Sequence, residues 1–181
     1  MSHPLLAFFG NIPLFAKLNT EELGEIVRAI KPIELEEGDF LFKEGDKADA
    51  AFVIQTGSLL VYLDRPHGRV ELTTLGAKDI LGEVTLIDGG TRTATVRATT
   101  RSSLFSLDKS EFDFLRRNLR PSAYKLIKEI SLTVCGRLRD TNQLIQEQWG
   151  VVDEPESPQE KPPEPSASFS MLRRLKFWKQ S

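Results

Sequence analysis

The stretch Leu81-Gly-Glu-Val-Thr-Leu-Ile-Asp-Gly-Gly-Thr-Arg-Thr-Ala-Thr-Val96 decides the fold. Its glycines and β-branched residues predict a strand that leads into a short helical turn and returns as a second strand. Gly82 would let the backbone approach a ligand without a side chain in the way. The amides around Val84 and Thr85, at the start of the turn, would favour an anion. The stretch therefore predicts an anion-binding loop.

Two charged side chains specify the chemistry of this loop. Arg92 would arrive on the returning strand and donate a fork of hydrogen bonds to phosphate oxygens, and Thr93 and Ala94 would add further donors. Glu83 would be repelled by a phosphate alone, so we expect its carboxylate to accept a ribose 2′-hydroxyl while also pairing with Arg92. These residues predict a site for a sugar phosphodiester. The alternative is a purely structural ion pair between Glu83 and Arg92.

Short strands are predicted on both sides of this loop. From Ile33 to Leu107 the sequence consists of short runs rich in Val, Ile, Phe, Thr and Leu, separated by glycines. This texture is typical of a compact all-β sandwich or barrel, and Pro66-His-Gly68 marks a hairpin tip. Before the strands, Leu14–Ile30 has apolar residues at helical spacing. Asn19 followed by Glu22 indicates a capped helix start there.

The helical period returns after the strands, in Lys109–Asn118 and in Pro121–Trp149. The second helix would be about 42 Å long at 1.5 Å per residue, which is more than one small barrel covers. Part of its apolar stripe would therefore be available to a second copy of the helix. We expect a parallel coiled-coil dimer through residues 121–149, and packing of the helix on its own barrel is the alternative. The stripe consists of Ile127, Ile130, Val134, Leu138, Thr141 and Ile145.

Two C-terminal segments differ from the rest of the chain. Residues 151–168 contain five prolines, five acids and one lysine, which predicts an acidic, extended linker with no core of its own. Residues 169–181 carry four basic residues and no acid, with apolar residues on one side of a helical wheel. We expect this basic amphipathic tail to bind a membrane surface or an effector protein, and a merely solubilising tail is the alternative.

The composition argues against several classes of protein. The 181 residues include Lys+Arg 24 and Asp+Glu 26 for a net charge of -2, so the basic bias of a duplex-binding domain is missing. One cysteine and two histidines offer no internal disulfide, zinc spacing or His-based triad. We therefore expect no enzyme and no metal site. Without a signal peptide or a membrane span, we expect a cytoplasmic protein, peripheral at the membrane if the tail binds there.

The quoted stretch resembles the signature of the cyclic-nucleotide-binding domains of the catabolite activator protein, protein kinase regulatory subunits and cyclic-nucleotide-gated channels. That signature, Gly-Glu-x-Ala-Leu and then Pro-Arg-Ser/Thr/Ala-Ala, stands here as Gly82-Glu-Val-Thr-Leu86 and Thr91-Arg-Thr-Ala94. The resemblance covers roughly residues 12–145 and extends to further turns, namely Glu37-Gly-Asp39, Glu44-Gly-Asp46 and Gly57-Ser58.

Three residues depart from the family pattern. Thr85 replaces the usual Ala, Thr91 replaces the frequent Pro, and Lys78 stands where a glycine is common. All three leave the main-chain donors in place, so the departures do not argue against a ligand.

The resemblance implies a mainly β fold with flanking helices. This is the cyclic-nucleotide-binding β-roll, a double-stranded β-helix or jelly roll, with short N-terminal helices and a long C-terminal helix. We expect the N-terminal helices and the β-roll in residues 1–118 and the lid and dimerisation helix in 119–150. The linker would follow in 151–168 and the basic tail in 169–181.

The resemblance also implies the ligand and its contacts. We expect cAMP in preference to cGMP, although Thr93 matches a threonine of cGMP-dependent kinases and keeps cGMP open. The residues implied for the phosphate and ribose are Gly82, Glu83, Val84, Thr85, Arg92, Thr93 and Ala94. Those implied for the side of the base are Val61, Leu72, Thr73, Thr141 and Asn142.

By this resemblance the chain is identified as a stand-alone bacterial family member without a DNA-binding domain, because only the linker and the tail follow the long helix. Its function would be that of a cyclic-nucleotide sensor acting through the C-terminal helix on an unidentified effector. The alternative is a degenerate, nucleotide-free domain that serves as a dimeric scaffold or a membrane-docking protein.

Overall fold

Eight short strands form two antiparallel four-stranded sheets in the computed structural model, which describes residues 4–149. The first sheet has the order β1-β8-β3-β6 and the second has the order β2-β7-β4-β5. The prediction of a mainly β sandwich or barrel is therefore confirmed. The strands are β1 Ile30–Leu35, β2 Phe40–Phe42, β3 Ala50–Thr56, β4 Leu59–Arg65, β5 Gly68–Leu75, β6 Ile80–Leu81, β7 Thr95–Ala98 and β8 Ser102–Asp108.

Helices flank the sheets on both ends of the described chain. At the start of α2, the Asn19 side chain accepts a hydrogen bond from the Glu22 amide at 2.9 Å, and Glu22 accepts one from the Asn19 amide at 2.8 Å. This reciprocal capping box confirms the predicted helix start. The helices are α1 Pro4–Gly10, a short 3-10 helix Pro13–Phe15, α2 Thr20–Ala29, α3 Thr85–Asp88, α4 Lys109–Arg117 and α5 Pro121–Trp149.

Two apolar clusters form the core. One joins residues of both sheets, including Ile54, Leu59 and Leu104. The other packs the helices against β3 and β8, and includes Phe9, Phe112 and Leu126. The helices therefore cover one side of the β-roll and are held there by apolar burial.

The predicted apolar stripe of α5 is buried at its beginning and exposed farther along the helix. Ile130 is fully buried in the apolar cluster that packs the helices against β3 and β8, and Ile127 packs against that cluster. Farther along the helix, Val134 and Leu138 are 38% and 60% exposed. The beginning of the stripe thus packs on its own domain, while the later part remains exposed.

Charged contacts also join α2 to the first turns of α5. Lys125 pairs with Glu22 at 2.7 Å, and Arg120 pairs with Glu25 at 2.9 Å. The Ser122 hydroxyl donates to the buried Glu25 carboxylate at 2.6 Å. These contacts fix the position at which α5 starts.

Three turns of the roll share one design. In each, an aspartate carboxylate accepts the amide three residues earlier, at 2.8 or 2.9 Å, and the residue before that aspartate has a positive φ. Gly38 and Gly45 occupy this position in two turns, with φ of 94° and 87°, and Lys78 occupies it in the third with φ of 74°. Because L-residues avoid this region, Lys78 is strained where its two counterparts are not.

The chain divides into two compact units, Met1–Arg139 and Asp140–Ser181. The first unit holds both sheets, helices α1 to α4, and α5 as far as Arg139. Of the second unit, the structure describes the remaining residues of α5. Gly150, the predicted linker 151–168 and the predicted basic tail 169–181 lie outside the described residues. None of the helices in the described range has the length and apolar character that crossing a membrane requires.

Candidate functional site

The quoted stretch forms the wall of a cavity of about 380 Å³ in the first unit. This volume lies in the range of about 300–1,000 Å³ that is usual for small-molecule sites. The loop between β6 and β7 supplies most of the wall, β4 and β5 supply its apolar side, and α5 contributes one residue. Nine of the predicted site residues line it, namely Val61, Thr73, Gly82, Glu83, Val84, Thr85, Arg92, Thr93 and Ala94.

Arg92 is the most unusual side chain of the cavity because it is a buried cation. The residue is only 6% exposed. Its Nη2 donates to the carbonyl of Ala50 at 2.9 Å and lies 3.6 Å from the carboxylate of Asp49. Its Nη1 lies 3.4 Å from the Thr85 hydroxyl, and the guanidinium carbon lies 4.1 Å from the centre of the Phe42 ring. These contacts hold the guanidinium in one orientation.

The remaining donor of Arg92 has no acceptor. Among the described residues, Nε of Arg92 is the one buried side-chain nitrogen or oxygen without a hydrogen-bond partner. Burial lowers the pKa of this guanidinium, an effect that the carboxylates of Asp49 and Asp46 oppose. A buried donor without an acceptor costs free energy, so the hydrogen-bonding capacity of Arg92 is not fully used within the described residues.

Gly82 is required for the placement of Arg92. A Cβ atom on Gly82 would lie 2.5 Å from Nη1 of Arg92 and 3.2 Å from the carbonyl oxygen of Ala50. Its φ of 71° is also in the left-handed region, which favours glycine. The close approach of Gly82 to a ligand stays a prediction, and the group that lies against Gly82 in the structure is the guanidinium of Arg92.

Glu83 pairs with a different arginine from the one predicted. Its buried carboxylate accepts a hydrogen bond from Nη1 of Arg137, on α5, at 2.7 Å. The prediction that Glu83 pairs with Arg92 is therefore wrong, because the fixed guanidinium of Arg92 is directed to Ala50 and Asp49 on β3 and the loop before it. The two charged residues share the cavity without contacting each other.

Main-chain donors line the loop, but not all those predicted. The amide of Thr85 donates to the carbonyl of Gly82 at 3.2 Å, within the helical turn, so it is already engaged. In the described chain, no turn or loop hydrogen bond uses four other amides of the cavity wall. These are the amides of Glu83, Val84, Thr93 and Ala94.

Three of the predicted contact residues are not among those that line the cavity. Leu72 is 52% exposed on β5 and is absent from the cavity wall, whereas its neighbour Thr73 lines it. β5 has a bulge at this point, since Val61 pairs with Thr73 and Tyr62 pairs with Glu71, and Leu72 is the residue left unpaired. Thr141 and Asn142 are exposed residues of α5 that follow Arg139 and belong to the second unit.

Arg137 is the main residue that the sequence did not reveal. Arg137 lies 54 residues after Glu83. The helical pattern of α5 predicts which apolar residues share a face, but it does not predict a partner for a charged residue. The spacing of Arg137 by four residues from Thr141 would place both on one helical face, which is the signal that could have found it. Other lining residues missed by the sequence are Phe42, Leu75, Ile80, Leu81, Asp88, Thr91 and Val96.

The cavity brings together groups that can bind a small ligand. Within residues 4–149, no group of three or more His, Cys, Asp or Glu residues could hold a metal ion. The cavity combines a fixed cation, free amides, a carboxylate and apolar side chains. Fold and site together define a β-roll with a cavity that has a buried arginine in its wall.

Comparison with known proteins identifies the class of β-roll. Residues 32–118 match the profile of the cyclic nucleotide-binding domain, and the chain belongs to this family. It is 34% identical to a solved structure, the N-terminal domain of a transcriptional regulator from Streptomyces coelicolor. The match has a TM-score of 0.64 and covers 75% of this chain and 95% of that one. The β-roll implied by the sequence is therefore confirmed.

Two curated relatives show the same domain within longer proteins. The chain is 31% identical over 115 residues to a cAMP-dependent protein kinase type II regulatory subunit from Drosophila melanogaster, which covers 64% of this chain and 29% of the relative. It is 37% identical over 121 residues to a cyclic nucleotide-gated potassium channel from Rhizobium etli, which covers 67% of this chain and 32% of the relative. The chain thus spans about a third of the length of these relatives, whose names describe a regulatory subunit and a channel.

Proposed function

We propose that this chain binds a cyclic nucleotide in the cavity and acts as a sensor, with cAMP preferred to cGMP. The observation that carries the proposal is the buried guanidinium of Arg92, whose Nε has no acceptor within the described residues. Arg92 forms part of the cavity wall together with Glu83. A cyclic phosphate would accept from Arg92 and from the free amides of the loop.

Residues near Arg92 would contact the ribose and the base of the nucleotide. The carboxylate of Glu83 would accept the ribose 2′-hydroxyl, which is a donor that a phosphate lacks. Val61 and Thr73 would lie beside the base. The preference for cAMP is supported by the resemblance to a regulatory subunit whose name states its dependence on cAMP.

The signal would leave the cavity through α5. Arg137 binds Glu83 at 2.7 Å, and the ribose hydroxyl would compete for the same carboxylate oxygens. Ligand binding would therefore rearrange the contact between α5 and the loop, and shift the population of helix positions. The effector would be a second copy of the chain through residues 121–149, for which the exposed Val134 and Leu138 provide apolar surface, or a membrane or protein bound by residues 169–181.

Isothermal calorimetry with cAMP and cGMP tests the binding proposal. We expect cAMP to bind the full chain more tightly than cGMP. Arg92→Ala should weaken cAMP binding by about a hundredfold, since hydrogen bonds to charged groups contribute about 1.5–3 kcal/mol each. Arg101→Ala is the matched control, because Arg101 is 73% exposed and pairs with Glu36 on the surface. Circular dichroism would verify that both variants are folded.

The sensor hypothesis and the nucleotide-free scaffold hypothesis predict opposite calorimetric results. Absence of heat with either nucleotide on the folded protein would contradict the sensor and favour the dimeric scaffold. Equal affinity of the wild type and Arg92→Ala would show that the nucleotide binds elsewhere.

A further inference from the structure

A β-bulge in β2 places Phe42 in the wall of the cavity. Phe40 pairs with Arg97 and Phe42 pairs with Val96, so Leu41 is an extra residue on the β2 side. Leu41 and Phe42 are successive residues, yet both pack against the apolar cluster that joins the two sheets. In a regular strand, successive side chains point to opposite faces. The bulge therefore turns Phe42 inward, while Phe40 stays 46% exposed.

The ring of Phe42 lies against the guanidinium of Arg92. The guanidinium carbon lies 4.1 Å from the centre of this ring and 5.3 Å from the centre of the Phe52 ring. The two rings are 5.9 Å apart and are tilted by 32°. Both distances to the cation lie within the range of about 6 Å in which an aromatic face attracts it. The attraction is larger when the pair is desolvated, and Arg92 is a buried residue.

The polar contacts of Arg92 leave part of its charge uncompensated. Its Nε has no hydrogen-bond partner within the described residues. The side chain of Asp49, which lies 3.6 Å from Nη2, is 74% exposed, so water and salt screen that pair. The face of the Phe42 ring therefore supplies an attraction for the buried cation that the polar groups around it do not complete.

The backbone of Arg92 is fixed independently of the rings. Its amide donates to the carbonyl of Asp46 at 2.8 Å, and its carbonyl accepts from the amide of Gly45 at 2.9 Å. These bonds belong to a short antiparallel contact between the turn after β2 and the end of the loop before β7. A substitution at Phe42 should therefore leave this backbone in place and change the orientation of the guanidinium.

We propose that Phe42 is a positioning residue of the phosphate site, whose ring face holds the guanidinium of Arg92 where the phosphate would meet it. The inference rests on the proposed function, because Arg92 is the group that would receive the phosphate. Without the ring, Arg92 spends part of its time in orientations that cannot bind the phosphate. The apparent affinity then falls in proportion to the fraction of the protein that remains competent.

Phe42→Leu tests the effect on binding, because it removes the aromatic face and keeps most of the apolar volume. We expect cAMP to bind this variant about fivefold more weakly in isothermal calorimetry, the size expected for one buried cation–π contact. Phe40→Leu is the matched control and should bind as the wild type does. Phe40 is on the same strand and has its own cation contact, with Lys43 at 4.7 Å, but it is not in the wall of the cavity.

A fluorinated ring separates the electrostatic role of Phe42 from its packing. Phenylalanine with three ring fluorines at position 42 keeps the ring but weakens the negative potential of its face. We expect this variant to bind cAMP about threefold more weakly than the wild type. The fluorinated variant also keeps the inference testable if Phe42→Leu does not fold, which circular dichroism would reveal.

The Nε–H resonance of Arg92 reports the ring contact in the absence of any nucleotide. The resonance is identified in a nitrogen–proton correlation spectrum by its loss in Arg92→Ala. A proton beside a ring face is shielded, so Phe42→Leu should move this resonance downfield, and Phe40→Leu should leave it unchanged. Addition of cAMP to the wild type should also move it downfield, because a phosphate oxygen would accept from Nε.

Two results would overturn the inference. One is an Nε–H resonance that does not change in Phe42→Leu. The other is wild-type affinity for cAMP in the folded Phe42 variants, when Arg92→Ala weakens binding. Failure of the proposed function has a different signature, namely a resonance that depends on the ring together with no heat from either nucleotide. That result would support the contact between ring and cation and overturn nucleotide binding.

Discussion

At the scale of single residues, the cavity depends on how closely Gly82 approaches Arg92. The space that a Cβ would occupy is taken by Nη1 of Arg92, 2.5 Å away. The arginine is in turn held by Ala50 and Asp49. A side chain at position 82 would therefore displace the group proposed to bind the phosphate.

Gly82→Ala should accordingly weaken cAMP binding at least about tenfold and lower the free energy of unfolding by about 1–3 kcal/mol, because both the contact and the positive φ oppose a side chain. Calorimetry and urea unfolding measure the two effects. Gly76→Ala is the matched control, since a Cβ atom on Gly76 would have no neighbouring atom within 4 Å. Unchanged binding by Gly82→Ala would show that Arg92 can move without loss of function.

A substitution at Lys78 should raise the free energy of unfolding, whereas Gly82→Ala should lower it. Its two counterparts in the roll are glycines with similar φ, so Lys78→Gly should raise the free energy of unfolding by about 1 kcal/mol. Lys78→Ala retains the strain and should not stabilise the protein. Urea unfolding of both variants decides the matter, and a gain in Lys78→Ala would mean that loss of the lysine side chain is the cause.

At the scale of elements, charged contacts between α2 and α5 respond to pH. The hydrogen bond from Lys125, assisted by the Asn19 amide, lowers the pKa of Glu22 from its ordinary value of 4.5, although desolvation opposes the shift. A carboxylate whose pKa is lowered by folding stabilises the folded state at pH values above its pKa in the unfolded chain. That contribution disappears as the pH falls through the lowered value.

Glu22→Gln should therefore melt at a lower temperature than the wild type at neutral pH. The difference should shrink as the pH falls below about 4.5. The amide oxygen of glutamine can still cap Asn19, so the variant isolates the charge. Glu21→Gln, an exposed neighbour on the same helix, is the matched control. A Glu22→Gln difference that stayed constant with pH would assign the effect to packing.

These elements also show what sequence patterns can and cannot predict. The capping box of α2, the hairpin between β4 and β5, and the helices α4 and α5 depend on neighbours a few residues apart, so local spacing predicts them. Glu83 and Arg137 are far apart in sequence, and no local pattern reports which charges will meet. Leu72 was implied by the family resemblance, and no local pattern in the sequence reports the β-bulge that leaves it unpaired on β5.

At the scale of the whole molecule, the proposed sensor requires that the cavity and α5 respond together. With saturating cAMP, we expect the backbone amides of residues 121–139 to exchange hydrogen more slowly. The effect would reach about a hundredfold when free ligand is about 100 times its Kd, if α5 opens only in the unliganded state. Arg92→Ala at the same ligand concentration should show only about a twofold slowing, because its Kd is expected to be about a hundredfold higher. Unchanged protection in the wild type at saturation would leave α5 without a part in signalling.

The pairing of the sheets has a consequence for the time at which this chain can fold. Ile30 of β1 lies opposite Leu107 of β8, and Phe40 of β2 lies opposite Arg97 of β7. At about 5–20 residues per second, the ribosome needs roughly 4–15 s to synthesise the chain between β1 and its partner. During that interval β1 has no native neighbour in its sheet. The nascent chain is then exposed to chaperones and to mispairing with other nascent chains, well before the cavity exists.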